Sequence, residues 1–459
     1  MNSIVTDKFK QDLLLHLADK VRNDIANPYY IAVGRSEAWN IADSAPAPLE
    51  TPYDENDFRK RIQSVMRINA SSLAVKRYNW QTRIYEQYDD RKTLEQYNAD
   101  GIPFYVINDD YSVFICLRQG KDDAGNPVVS SVQPRAANND PFELSDGYVW
   151  KFLYTVSHLR STLFMSKYYM PVQTIPAVDS NSIGIDLKQY EIQETARPRM
   201  ITSFIVDSGG IGYTNPKLKL NNVIETTPFV DFFLDSNGKI TKVEYTPDSS
   251  TLSYVSDLRG ALVDIIDSNG TQAVIRPVFS SSRGFGANAP QDLKCNSLML
   301  NVKIAGDQED FATNQDYRQI AILKNIKDSE NGSLFTQLNG KTLPSFTLSS
   351  PATVSFTKDR LIEGVTSGAQ ALVDDVASDD LTVWYHQNDS TGYLAFVDGE
   401  TVREINGYGT GSIASGYVKP EVDPWSGDIL YIHNRAAVER VPNQTEDIKI
   451  VIELSACTL

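Results

Sequence analysis

"FYVINDDYSVFICL", Phe104–Leu117, sets two β-branched and aromatic runs on either side of Asn108-Asp109-Asp110. Such side chains fit a pleated, half-buried surface, and Asn and Asp turn a chain by bonding their own backbone. The stretch predicts a hairpin. Its surroundings repeat the pattern. "GYVWKFLYTV", Gly147–Val156, reads as a strand after the turn-forming Ser145-Asp146, and "YYMPVQTIPAV", Tyr168–Val178, continues extended, with prolines at edges or bends.

Helical patterns are fewer. Residues 6–25 predict an amphipathic helix with Phe9, Leu13, Leu17 and Val21 at four-residue steps, and Leu14 and Leu15 widening the apolar face. A second helical stretch is expected from Glu55 to about Asn69.

The texture changes twice farther on. From Arg199 to Val278, "FIVDSGG", "FFLDSNG" and "DIIDSNG" end three apolar runs in similar turns, at Asp207, Asp235 and Asp267. Asn-Gly and Gly-Gly tolerate the positive φ of tight turns, so each predicts a hairpin. From Pro344 to Val422, short strands such as "LTVWYHQN" alternate with Gly, Ser and Asp turns. The expected fold is mainly β with some α (α+β). It has a discontinuous β-sandwich-like core, two small β-rich inserted domains and an N-terminal helix. The expected segments are core at 1–198, an insertion at 199–289, core at 290–343, a second insertion at 344–424 and core strands at 425–459.

The 459 residues carry a formal net charge of −16. An acidic surface repels phosphate backbones, so no nucleic-acid partner is expected. The densest basic run, "FRKRIQ", reads as one solvated helix turn. No apolar segment reaches membrane-spanning length, which predicts no membrane insertion. "MNSIVTDKFKQDLLLHLADK" lacks a signal-peptide shape, and Cys116, Cys295 and Cys457 lack the spacing of a disulfide framework or a zinc site. Synthesis in a reducing cytoplasm is expected.

Chemistry is sparse. His16, His158, His386 and His433 have no partner at metal-ligand spacing, and each reads as a surface or core imidazole. "RGFGAN" and "GYGTGS" lack the strand–loop–helix context of a phosphate cradle. Asp89-Asp90, Asp109-Asp110 and Asp374-Asp375 are pairs expected by chance among 59 acidic residues. "DSNG" lacks the ligand series of a calcium loop. No catalytic residue, metal or cofactor is expected. Tyrosine is abundant, at 23, which suits protein contacts or a sandwich core.

In "YIAVGRSEAWN", Tyr30–Asn40, an apolar run breaks at Gly34 and gives way to Arg35, Ser36, Glu37 and Trp39. With "IVTDKF", Ile4–Phe9, the stretch resembles the N-terminal signature of the gene product eight family, the baseplate wedge subunits of T-even-type contractile-tailed phages. The resemblance continues in order through "DGYVWKFLYTV", Asp146–Val156, "YYMPV", Tyr168–Val172, "DYRQIAIL", Asp316–Leu323, and "GDILYIHNRAAVERVPNQTEDIKIVIEL", Gly427–Leu454. It covers roughly half of the chain and skips both β-rich stretches.

The resemblance implies a structural, non-enzymatic subunit of the virion's tail baseplate, forming a homodimer and joining other baseplate wedge proteins. A tail-associated receptor- or carbohydrate-binding module is the alternative, suggested by the β-rich inserts; a tail-associated glycan hydrolase would need two carboxylates apposed across a cleft. Gly34, Arg35, Ser36, Glu37, Trp39, Asp146, Gly147, Tyr148, Trp150, Arg318, Gln319, Asn434, Arg435, Gln444, Thr445 and Glu446 then serve structure or interaction. Arg35 is expected to bond carbonyls or a carboxylate, with Trp39 packed under the loop and Gly34 supplying the sharp turn.

Overall fold

A computed structural model describes residues 4–179, 182, 184–198, 200–220, 223–225, 230–245, 263–305, 311, 315–441 and 443–454. Cys457 lies outside them. Strands take 39% of the chain and helices 14%, so the fold is mainly β in the α+β class. The residues group into two compact units, each built from separated segments. One comprises residues 1–16, 72–299 and 451–459; the other comprises 17–71 and 300–450.

In the first unit the hairpin forms where expected. Tyr105–Ile107 pairs antiparallel with Ser112–Arg118, which also pairs with Val149–Thr155. Asn108 Oδ1 accepts from the N–H groups of Asp110 and Ser112, each at 2.9 Å, and so fixes the turn. The sheet buries an aromatic cluster in which Trp150 stacks on Tyr148 and meets Tyr85 edge-on.

The three similar turns behave differently. Asp235–Gly238 closes a hairpin between Asp231–Leu234 and Ile240–Glu244, with Gly238 at φ +67°. Asp267–Gly270 joins Val263–Ile266 to Thr271–Phe279, but these strands lie in separate sheets. Asp207–Gly210 is no turn: Ile201–Ile211 runs straight through it, paired with Thr271–Phe279. The register of that pairing shifts at Asp207 and again at Thr202, as bulges do, and Gly210 stands at φ +63°.

The second unit holds a five-stranded antiparallel sheet in the order Asn339–Lys341, Ile62–Arg67, Tyr29–Gly34, Gln315–Lys324, Asp428–Arg440. Tyr30, Phe58, Val65, Ala321 and Phe335 form its core. The helix expected over 55–69 is instead Pro52–Arg61, capped by the Thr51 side chain, and Ile62–Arg67 is a strand. A polar 10-residue helix gives way where Ile62, Val65 and Met66 can be buried beside Tyr29–Gly34. The second β-rich stretch is a closed six-stranded barrel: Ser345–Leu348, Thr382–His386, Gln370–Val376, Leu361–Gly364, Thr401–Glu404 and Thr410–Val418. It carries its own apolar core around Phe346, Tyr385 and Phe396.

The N-terminal helix is Asp7–Asn23, and its buried face shares Leu14 and Val21 with the expected one but is rotated away from Phe9 and Leu13. Gln11, Leu14, Ala18 and Val21 are buried, whereas Phe9 and Leu13 are 62% and 48% exposed. A strict four-residue row drifts about 40° per step at roughly 100° per residue, so it winds off any flat partner. Steps of three, four and three keep one bearing.

Candidate functional site

The strand Tyr29–Gly34 ends against the helix Pro52–Arg61. A side chain at Gly34 would put Cβ 2.4 Å from the Arg61 carbonyl oxygen, so only glycine fits. The sharp turn expected at Gly34 falls on Arg35, which has φ 63° and donates its N–H to the same carbonyl at 3.0 Å. A register shift at Val33/Gly34 accompanies the change of direction.

From there the loop crosses the end of the sheet. Gly34 lies opposite Gln319, and Gln319 opposite Asn434, on three adjacent strands. The Arg35 guanidinium stacks 4.0 Å over the Trp39 ring and pairs with Asp57 at 3.5 Å. Trp39 is half-buried, and its indole N–H donates to the Arg435 carbonyl at 2.9 Å. Arg318 grips both carboxylate oxygens of Asp43, at 2.8 and 2.9 Å, and donates to the Ser36 carbonyl. The Gln319 amide donates to Asn434 Oδ1 at 2.9 Å, and the Asn434 amide donates to the Pro46 carbonyl. Three stretches singled out in the sequence thus form one bonded knot.

Bonded to the same loop through Glu37 is a histidine that reads in the sequence as an isolated imidazole. His386 is 3% exposed. Its Nδ1 is 2.6 Å from Asp374 Oδ2 and its Nε2 is 3.0 Å from Glu37 Oε1. Both ring nitrogens face carboxylates, so both must donate, which requires the imidazolium. Burial alone would lower the His386 pKa; the charges and hydrogen bonds of Asp374 and Glu37 override it and push it up to about 10. Burial likewise works to raise Glu37, but hydrogen bonding to His386 and the charges of His386 and Arg61 hold its carboxyl far below the usual range. Glu37 Oε1 also accepts from Asn388 at 3.0 Å and Arg61 at 3.3 Å.

The third member is set by a bulge. In Gln370–Val376 the register slips between Val373 and Asp375. The extra residue re-aims Asp374 inward beside Val373, so two neighbours in sequence are both fully buried. Asp375 instead pairs with Lys341 at 3.0 Å and Lys358 at 2.8 Å. The acidic pair thus has two separate structural roles. Its readable signal was the break in alternation at "LVDDV".

The arrangement resembles a triad only in composition. A general base needs a free imidazole nitrogen within reach of a nucleophile. Here both nitrogens are occupied, and the Ser36 hydroxyl faces Asp374, with its Oγ 3.5 Å from Oδ1, rather than the imidazole. His386 and Arg61 together balance Glu37 and Asp374, as an ionic clasp between the loop and the barrel.

The remaining signature residues sit elsewhere. In the first unit, Asp146 Oδ2 accepts from Ser130 Oγ and from the N–H groups of Ser131 and Val132, at 2.9–3.0 Å. Gly147 turns at φ +79°, while Tyr148 donates its hydroxyl to the Val128 carbonyl at 2.7 Å and Trp150 is fully buried. In the second unit, Glu446 accepts from buried Arg440 at 2.9 Å, and Arg440 also donates to the carbonyls of Phe311 and Ala305. Gln444 and Thr445 follow Asn443, which turns the chain at φ 67°.

Cys116 and Cys295 are buried free thiols. Among the described residues no three His, Cys, Asp or Glu side chains group as metal ligands would, and no helix is long and apolar enough to cross a membrane. Comparison with known proteins finds no match to a family model or to a curated protein.

Proposed function

We propose that this chain is a structural, non-enzymatic subunit of the baseplate wedge of a contractile phage tail, similar in role to the gene product eight family it resembles. The observation that supports this most is the convergence of the resemblance patches. Trp39 and Arg435 are 396 residues apart in the chain yet share a hydrogen bond, with Arg318 and Gln319 between them. Residues conspicuous in the sequence bond one another across three adjacent strands and the loop beside them, which supports a structural role.

On this reading the subunit pairs with a second copy, joins other wedge proteins and acts in the virion's tail after synthesis in the host cytoplasm. It needs no cofactor. Co-expression with the other wedge proteins of a contractile-tailed phage, followed by size-exclusion chromatography, is the test. Co-elution in one complex is expected. A folded chain that elutes alone in every combination refutes the proposal.

A further inference from the structure

The second unit contains a cleft of about 430 Å³ beside the barrel, within the range of small-ligand sites. Three of the aromatics lining it are more than half exposed: Tyr393 at 54%, Tyr417 at 53% and Trp425 at 55%. Their grouping in one cleft leaves aromatic area in water that a ligand could cover.

One of them is held in place by its side chain, and the loop carrying another is tied by its backbone. The Tyr393 hydroxyl donates to Asp389 at 2.8 Å, and Lys60 bonds the same carboxylate at 3.0 Å while lying over the Tyr393 ring. The Trp425 backbone N–H donates to Asp423 Oδ1 at 2.9 Å. The Tyr393 face is therefore fixed before any ligand arrives, which lowers the ordering cost of binding there.

Polar groups in the same cleft are left over. Tyr385 is 2% exposed, yet its hydroxyl bonds no described residue. The Tyr417 hydroxyl, the Trp425 indole N–H and the Lys419 ammonium bond no described residue either. The second oxygen of Asp423 is a free acceptor. The cleft thus offers aromatic faces, donors and an acceptor together.

We infer that this cleft is a carbohydrate-binding site, in which pyranose rings lie on the faces of Tyr393, Tyr417 and Trp425 while sugar hydroxyls bond the polar groups between them. Exposed aromatic bodies with polar tips suit a ligand that is apolar on its ring face and polar around its rim. A proline-rich peptide also docks on aromatic grooves. Proline has no N–H, however, and would leave the Asp423 acceptor unpaired, whereas every sugar hydroxyl both donates and accepts.

The test uses the full chain, with saturation-transfer NMR and tryptophan-fluorescence titration against maltohexaose, chitotetraose and a lipopolysaccharide core oligosaccharide. At least one is expected to bind with a Kd on the order of millimolar or tighter. Trp425→Ala and Tyr417→Ala should each weaken that binding about tenfold or more, worth about 1.4 kcal/mol, without lowering the melting temperature. Tyr408→Ala, at an 86% exposed tyrosine that does not line the cleft, should leave binding unchanged. The inference is overturned if no glycan binds at millimolar concentration or if binding survives both substitutions. It is also overturned if a proline-rich decapeptide binds the cleft and the glycans do not. Glycan binding needs no wedge protein, so this inference and the baseplate proposal can fail separately.

Discussion

Nε2 of His386 lies 3.0 Å from Oε1 of Glu37. A barrel residue and a residue of the loop after Tyr29–Gly34 are therefore held together by an ion pair, with Asp374 on the other ring nitrogen and Arg61 supplying a second positive charge to Glu37. Desolvating charges costs free energy, which here is offset only because each charge is met by an opposite one and by hydrogen bonds.

Removing the central cation should be costly. His386→Ala leaves Glu37 and Asp374 buried without the imidazolium, and a loss of about 3–5 kcal/mol is expected. Urea denaturation of wild type and variant measures it. A loss below about 1 kcal/mol would mean that water compensates the carboxylates and the clasp is not structural.

The pH dependence follows from the direction of the shifts. His386 keeps its proton in the fold after the unfolded chain has lost it. Its contribution is therefore complete below its ordinary value of 6.5, declines above that, and is gone once pH passes about 10. Glu37 is depressed, so its contribution is complete above 4.5 and is lost as pH falls below that value. The stability gap between wild type and His386→Gln should narrow steadily from neutral pH to about pH 10. A gap that stays constant across that range contradicts the charged clasp.

Position 35 separates backbone strain from side-chain contacts. Arg35→Ala loses the Trp39 stack and the Asp57 pair and keeps a left-handed backbone, which costs a non-glycine residue about 1–2 kcal/mol. Arg35→Gly loses the same contacts but relieves that strain. Thermal unfolding should rank Arg35→Gly above Arg35→Ala by about 1 kcal/mol; the opposite order would rule out strain at this residue.

At Gly34 the constraint is space. Gly34→Ala drives a methyl group into the Arg61 carbonyl, and a loss of about 1–3 kcal/mol is expected as strand and helix separate. Unchanged melting would show that the strand–helix junction yields freely.

Trp39→Ala should cost about 1–3 kcal/mol, less than for a fully buried tryptophan, because Trp39 is half-buried. Trp39→Phe keeps much of the packing and loses the bond to Arg435, about 1 kcal/mol. If both variants melt like wild type yet fail to assemble with wedge proteins, the loop is a partner-binding surface and not an internal clasp.

The sequence by itself determined those elements whose causes are local. The hairpin around Asn108 forms because Asn108 bonds the backbone of the residues that follow it, and its flanking runs are β-branched or aromatic on both sides. Asp235-Ser236-Asn237-Gly238 turns for the same kind of reason, with Asp235 Oδ1 accepting from the N–H groups of Asn237 and Lys239. Val149–Thr155 is a strand on its own composition. The prominence of Arg35, Glu37, Trp39, Arg318 and Asn434 was likewise visible, although what they touch was not.

Tertiary structure alone decided the rest, because there the energy comes from partners distant in the chain. The helix Asp7–Asn23 buries Gln11 and not Phe9 because Gln11 donates to the carbonyls of Pro290 and Cys295, residues no local pattern can weigh. Ile62–Arg67 leaves the helical pattern because a neighbouring strand offers both a hydrogen-bonding edge and burial. Ile201–Ile211 passes through Asp207–Gly210 because a paired strand satisfies the backbone that a turn would otherwise satisfy. His386, an unremarkable imidazole in sequence, gains its charge from Asp374 and Glu37 only when the barrel closes and a bulge turns Asp374 inward. A pairwise Coulomb interaction depends on separation in space, and separation along the chain, here 349 residues between Glu37 and His386, carries no trace of it.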